Sequence, residues 1–167
     1  MQAIDFILAR RSIRKYTDQK LTEQQIEMLL RAGMSAPSCV DNRDWHFLVI
    51  TKREGMAKII KYKPGNAEML RGAPIAILIS GDSNCFYQGN PDYWIQDCSA
   101  AAENILIAAN AMGLGAVWLG IYPNLERSNN IRKAFNMPEN LIPFAAVSIG
   151  YSAEAKQARE LYELDKV

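Results

Sequence analysis

The chain has 167 residues, of which 49% are hydrophobic and 22% are charged, a composition that fits an ordinary globular domain and excludes disordered, collagen-like and coiled-coil classes. Since domains commonly hold about 100–200 residues, one domain over residues 1–167 is predicted. The 19 Lys and Arg residues against 18 Asp and Glu residues leave a net charge of +1, which argues against nucleic acid as a partner.

The N-terminal part is predicted to hold two helices. Apolar residues at helical spacing predict a short helix around residues 4–8, which ends near Arg10 and Arg11. Thr22, followed three residues later by Gln25, forms a capping-box pattern, and an apolar stripe at helical spacing follows it. The second helix is therefore expected to begin at Thr22.

Strands and further helices follow. Four short apolar runs predict buried β-strands, at residues 46–50, 75–79, 116–121 and 144–149. Helices are predicted over 54–62, over 125–135 and over 94–112, and the last is apolar on more than one face, as in a core or an interface. Strands that alternate with helices at irregular intervals favour an α+β fold, with a mixed central β-sheet flanked by helices.

Targeting and metal-binding signals are not recognised. Asp5 interrupts the short N-terminal apolar run, and no apolar run reaches the ~18 residues of a membrane span. His46 is the only histidine, and the cysteines are odd in number and widely spaced: Cys39, Cys85 and Cys98. Neither a disulfide framework nor a metal site is predicted. A cytoplasmic location without a membrane partner is expected.

The basic segment Arg10-Arg11-Ser12-Ile13-Arg14 is a candidate phosphate site. Arginine side chains match phosphate oxygens bidentately, and the serine hydroxyl adds a short neutral donor. A solvated basic turn explains the same residues. Gly113 and Gly115 lack the third glycine and the preceding strand of a dinucleotide-binding loop, so they are interpreted as a helix end and a strand entry.

Four segments together resemble the nitroreductase family of FMN-dependent oxidoreductases along nearly the whole chain. They are RRSIRKYT (10–17), SAPSCVDNRDWHFLVI (35–50), YWIQDCSAAAENILIAANAMGLGAVWLGIYP (93–123) and SIGYSAEAKQARELYE (148–163). The resemblance implies an α+β homodimer with two flavin sites at the subunit interface. It also implies that a C-terminal arm, about residues 151–167, is exchanged between subunits and embraces the partner.

The resemblance implies a phosphate site built from both chain ends. Arg10 and Ser12 match the positions that hold the FMN phosphate, and Arg11 lies between them. Lys156 and Arg159 match the basic residues that complete this site near the C-terminus.

Other residues are implied around the flavin ring. Arg14 matches a basic position near the pyrimidine edge, where it would stabilise negative charge on the reduced ring, and Asn66 lies near a position where an asparagine often touches the ring. The strand that meets the ring, with a backbone N–H near N5, matches Trp118, Leu119 and Gly120. The loop that the other subunit lays over the flavin matches Pro37, Ser38 and Cys39. No catalytic side chain is implied, because hydride transfer occurs at N5; Arg14 and Gly120 tune the ring.

The implied function is that of an FMN-dependent NAD(P)H oxidoreductase. NADH or NADPH would donate two electrons to the flavin, and a small-molecule acceptor such as a nitroaromatic or a quinone would take them up in a ping-pong mechanism. Two alternatives remain: a flavin-binding sensor or store without fast turnover, and a related flavin-dependent reductive dehalogenase.

Overall fold

Helices and strands follow one another along residues 2–167, the part of the chain described in the computed structural model. The helices are α1 (Ala3–Ala9), α2 (Glu23–Met34), α3 (Arg53–Tyr62), α4 (Tyr93–Ala111) and α5 (Leu125–Ala134). The strands are β1 (Trp45–Ile50), β2 (Ile75–Asp82), β3 (Gly115–Gly120) and β4 (Leu141–Gly150). Every predicted helix and strand is present, and their existence and order are confirmed.

Local hydrogen bonds explain where two of the helices begin and end. At the start of α2, Gln25 donates its backbone N–H to the Thr22 hydroxyl at 3.2 Å, and the Thr22 N–H donates to the Gln25 side chain at 2.9 Å. This is the predicted capping box. Beyond α4, Gly113 has a φ of 74°, a left-handed conformation that glycine adopts at low cost. The interpretation of Gly113 as a helix end is confirmed.

The central sheet has the strand order β1-β2-β4-β3, and all three neighbouring pairs are antiparallel. The α+β class is confirmed, but the prediction of a mixed sheet is wrong for these four strands. The strands joined by α4, β2 and β3, do run parallel to each other, but β4 lies between them. The only parallel pairing within residues 2–167 is a single bridge between Ser12 and Ala116.

Helices cover both faces of the sheet. On one face α4 packs with α2 against alternate residues of β2 and β4, such as Ile77 and Val147. On the other face α3 and α5 pack against the intervening residues, such as Leu78 and Ala146. All eight residues of β2 are buried, whereas β1 is an edge strand on which the His46 side chain is exposed. The prediction that residues 46–50 form a buried strand is therefore wrong, since only Ile50 of them is buried.

The C-terminal segment begins as part of this chain's own fold. Thr17 donates its N–H to the carbonyl of Tyr151, and Ala153 donates to the carbonyl of Lys15, both at 2.9 Å. Residues 151–153 of the predicted arm are therefore paired within this chain, and the embrace of a partner by the arm stays a prediction. Residues 157–167, called the exposed tail below, are exposed throughout. None of the helices in residues 2–167 combines the length and the apolar character needed to cross a membrane.

Candidate functional site

A cavity of about 430 Å³ lies where the two ends of the chain meet. Its lining consists of Arg10, Arg11, Ser12, Arg14, Lys156 and Arg159. The structure therefore brings together the five residues that the resemblance implies for the phosphate site, and Arg14 of the same basic segment lies with them. Five of the six lining side chains are cationic and none is acidic, so this basic cavity suits a phosphate dianion in charge and in hydrogen-bond donors.

The N-terminal wall of the basic cavity, formed by residues 10–14, lies directly on β3. Ile13 donates its N–H to the carbonyl of Ala116 at 3.0 Å, next to the bridge between Ser12 and Ala116. A Cβ atom on Gly115 would come within 2.5 Å of Ile13 Cγ2, so only glycine permits this close approach. The interpretation of Gly115 as a strand entry is confirmed, and its close contact with Ile13 is an additional finding.

Glu154 connects the C-terminal wall of the basic cavity to the N-terminal one. Its carboxylate accepts hydrogen bonds from the backbone N–H groups of Arg14 at 2.6 Å and Lys15 at 3.3 Å. Lys156 donates from Nζ to the carbonyl of Ser12 at 2.6 Å and lies 3.4 Å from Glu154. The hydrogen bond from Arg14 is the main cause that lowers the pKa of Glu154. Sequence reasoning missed Glu154, and its position two residues before Lys156 was the available signal.

A residue of helix α4 orients the side chain of Arg10. The guanidinium Nε of Arg10 lies 3.1 Å from a carboxylate oxygen of Glu103, and both side chains are partly exposed. An ion pair of this kind contributes little to stability, but it orients the Arg10 side chain, which lines the basic cavity. Glu103, one of two acidic residues on the mainly apolar helix α4, therefore has a partner.

A second cavity of about 310 Å³ begins at Arg14 and is called the ring-side cavity below. It contains all the residues that were assigned to the flavin ring within one subunit: Arg14, Asn66, Trp118, Leu119 and Gly120. It also contains residues that sequence reasoning missed: Lys63, Gly65, Met69 and Val117. The Lys-Pro-Gly turn after α3 was the available signal for Lys63 and Gly65. Because Arg14 lines both cavities, a phosphate in one and a ring in the other can belong to one molecule.

The structure does not bring Pro37, Ser38 and Cys39 to either cavity. Ser38 instead accepts a hydrogen bond from the Arg43 N–H at 3.0 Å. Cys39 donates its backbone N–H to the carboxylate of Asp97 in α4, at 3.0 and 3.1 Å to the two oxygens. The loop is thus fixed to α4, and its contact with a flavin of the other subunit stays a prediction.

Two buried acids lie behind this loop. Asp44 is 1% exposed and Asp97 is 5% exposed, and one oxygen of Asp44 has no hydrogen-bond partner among the described residues. Burial raises the pKa of Asp44 to about 6, and the nearby charge of Asp97 contributes to the rise. Burial likewise raises the pKa of Asp97. A carboxylate in such surroundings is held more readily in its protonated form.

Comparison with known proteins finds a matching family and similar relatives. The model of the Nitroreductase family matches residues 7–63 and 60–151. A protein of Methanothermobacter thermautotrophicus, provisionally named NADH dehydrogenase/NAD(P)H nitroreductase, is 44% identical over 167 residues, which are 100% of this chain and 86% of that protein.

Solved structures agree in fold. A protein of Parabacteroides distasonis with the same provisional name is 36% identical and superposes with a TM-score of 0.92, covering 100% of this chain and 96% of the other. A provisionally named nitroreductase of Desulfovibrio desulfuricans, solved in complex with FMN, is 32% identical with a TM-score of 0.84, covering 96% and 93% of the two chains. The match of the family model over most of the chain, together with these likenesses, shows that the chain belongs to the nitroreductase family.

Proposed function

We propose that the protein is an FMN-dependent NAD(P)H oxidoreductase that reduces nitroaromatics, quinones or related electron-poor acceptors. The observation that carries this proposal is the junction of the two cavities at Arg14. One cavity offers five cations for a phosphate, and the other runs along the backbone of β3. The FMN bound by the Desulfovibrio desulfuricans relative supports the same cofactor here.

The chain's own residues bind and orient the cofactor. Arg10, Ser12 and Arg159 bind the phosphate, while Lys156, which also lines the cavity, holds the Ser12 carbonyl. FMN, when bound, supplies hydride acceptance and donation at N5. Arg14 lies at the boundary of the two cavities, where its charge stabilises negative charge on the reduced ring.

The backbone of β3 is suited to meet a planar ring because β3 is an edge strand. The Ala116 carbonyl points away from β4, since it accepts the hydrogen bond from Ile13. Backbone groups alternate in direction along a strand, so those of Trp118 and Gly120 point away from β4 as well. Their N–H groups are the donors that we assign to the ring edge near N5, and this explains why no catalytic side chain is needed.

The proposal includes a homodimer with two flavin sites at the subunit interface. Apolar side chains of α1 are exposed in the single chain: Ile4, Ile7 and Leu8. The exposed tail adds others: Leu161, Tyr162 and Leu164. A second subunit would cover such residues, and it would bring the loop of Pro37, Ser38 and Cys39 over the flavin of its partner. A cytoplasmic location is also part of the proposal.

A single site on the ring must serve donor and acceptor in turn, so the kinetics should be ping-pong. Initial rates measured with varied NADPH at several fixed concentrations of a quinone should give parallel double-reciprocal lines. Intersecting lines would show that both substrates bind at once and would contradict the single shared site. An absence of turnover with every donor and acceptor would instead favour the alternative of a flavin sensor or store.

A further inference from the structure

Lys63 and Arg127 form a pair of cations beside the ring-side cavity. Lys63 lines this cavity. Arg127, in the first turn of α5, donates from Nε to the carbonyl of Tyr62 at 3.2 Å, so its guanidinium lies next to the backbone that leads into Lys63. Both residues are half-buried. Within residues 2–167, neither has an acidic side chain within 4.0 Å.

A bound anion would make this arrangement more favourable. Burial lowers the pKa of Lys63, and the charge of Arg127 lowers it further. Like charges that share a partly desolvated site repel each other, and an anion between them removes that cost. Neither residue lines the basic cavity, so a phosphate bound there does not contact them. The ring-side cavity has no acidic lining residue either.

Both cations are held by well-defined backbone. The Lys63 N–H donates to the carbonyls of Ile59 and Ile60 at the end of α3. The Arg127 N–H donates to the side chain of Asn124, the N-terminal cap of α5, at 2.8 Å. The two helix ends thus fix the backbone of Lys63, which lines the cavity, and of Arg127, which lies beside it at the Tyr62 carbonyl. Such fixed positions reduce the entropy lost when a ligand binds.

We propose that Lys63, with Arg127 beside it, binds an anionic group of the substrate that enters the ring-side cavity, and that the pair thereby favours substrates that carry this group over those that lack it. The inference rests on the proposed function, because it requires the reactive ring to lie in this cavity. The recognised group is a phosphate or a carboxylate, since both accept hydrogen bonds from Lys and Arg. It has two possible sources: the 2′-phosphate of NADPH, and a carboxylate on the electron acceptor.

The test compares Lys63→Gln, Arg127→Gln and the double variant with the wild-type FMN-loaded enzyme. Lys61→Gln is the matched control, because Lys61 is an exposed lysine two residues away that does not line the cavity. The donor arm measures KM for NADPH and for NADH with 4-nitrobenzyl alcohol. The acceptor arm measures KM for 4-nitrobenzoate and for 4-nitrobenzyl alcohol with NADH.

The expected result is a rise of about tenfold, equivalent to 1.4 kcal/mol, in KM for NADPH or for 4-nitrobenzoate, the members of the two pairs that carry the additional phosphate or carboxylate. KM for the other member of that pair should stay nearly unchanged. A change in the donor arm identifies the 2′-phosphate as the ligand, and a change in the acceptor arm identifies the carboxylate. Unchanged ratios in both arms of the double variant would overturn the inference, as would an equal change in Lys61→Gln.

Equilibrium binding separates this inference from the proposed function. Calorimetric titration of the FMN-loaded protein with adenosine 2′,5′-bisphosphate, and separately with 4-nitrobenzoate, needs no turnover. At least one of these probes should bind about tenfold more weakly to the double variant than to the wild type and to Lys61→Gln. Equal affinities would overturn the anion site. A wild-type protein that binds the probes but oxidises no nicotinamide would contradict the proposed function alone.

Discussion

At the scale of single residues, Arg14 connects the basic cavity and the ring-side cavity. It lines both cavities, and its backbone is held by Glu154. Its guanidinium forms no ion pair among residues 2–167, so its charge remains available to a ligand. Arg10 differs, because Glu103 already orients its guanidinium. The two arginines should therefore respond differently to substitution.

Arg14→Gln should lower the reduction potential of the bound flavin. Its charge favours the reduced ring, which carries negative charge near N1, more than it favours the neutral oxidised ring. For a two-electron couple, a fall of about 30 mV corresponds to 1.4 kcal/mol. Spectroelectrochemical titration measures the potential. An unchanged potential together with lost affinity for oxidised FMN would place Arg14 at the phosphate instead.

Arg10→Ala should weaken FMN binding by about 1.5–3 kcal/mol, the range for a hydrogen bond to a charged group. Fluorescence titration with FMN measures the affinity, and Arg71→Ala is the matched control because Arg71 pairs with Glu68 on the surface and lines neither cavity. Unchanged affinity in both Arg10→Ala and Arg159→Ala would refute the phosphate site.

Asp44 should make the folded protein less stable as the pH rises. Its pKa is raised from 3.8 to about 6, so the unfolded chain loses this proton first. The free energy of unfolding should therefore fall between about pH 4 and pH 6, by up to about 3 kcal/mol. Asp44→Asn should reduce this fall, whereas Asp92→Asn, at an exposed position, should not. Urea denaturation at several pH values across this range measures the free energy of unfolding. An equal dependence on pH in the wild type and in Asp44→Asn would contradict the raised pKa of Asp44.

At the scale of elements, the site depends on how closely residues 10–14 approach β3. Gly115→Ala should displace this segment, because a Cβ atom there would lie 2.5 Å from Ile13 Cγ2. Both the free energy of unfolding and the affinity for FMN should fall, by about 1–3 kcal/mol for an overpacked contact. Thermal denaturation and FMN titration measure the two effects.

Gly72→Ala is the control for this prediction. A Cβ atom on Gly72 would meet nothing closer than 4.0 Å, and the residue lines neither cavity. The stability and the FMN affinity of Gly72→Ala should stay near those of the wild type. If Gly115→Ala behaved in the same way, the close approach to β3 would not be what positions the basic cavity.

Local signals in the sequence were sufficient to predict the elements. The Thr22 and Gln25 capping box marks the start of α2, and Gly113 marks the end of α4, because each effect depends on neighbouring residues. Strand pairing was not predictable in this way. The insertion of β4 between β2 and β3 is a long-range arrangement, and no local pattern distinguishes it from a mixed sheet.

The candidate site shows the same difference between what motifs predict and what only the fold brings together. Family resemblance predicted the residues that meet in the two cavities, since these residues lie in recognisable motifs. It missed Glu103 and Glu154, which act by holding Arg10 and the Arg14 backbone. It also missed Lys63, which follows a surface helix in sequence and reaches the cavity only through the fold. Contacts between distant segments create these roles.

At the scale of the whole molecule, the exposed tail should be required for dimer formation. Its apolar side chains and those of α1 have no cover within one chain, and covering them on assembly is favourable. A chain that ends at residue 156 should therefore shift from dimer to monomer in light scattering at micromolar concentration.

Truncation also removes Arg159, so a second variant is needed as a control. Arg159→Ala in the full-length chain should lose FMN affinity and remain dimeric. A full-length wild-type protein that is monomeric while loaded with flavin would contradict the dimer.

The central claim is that FMN bound at the junction of the two cavities accepts electrons from a reduced nicotinamide and passes them on. The most direct test is the visible spectrum of the purified FMN-loaded protein without oxygen, recorded before and after addition of NADPH or NADH and again after a nitroaromatic. The account predicts that the yellow absorption bleaches with the donor and returns with the acceptor. Absorption that persists with both nicotinamides would contradict it.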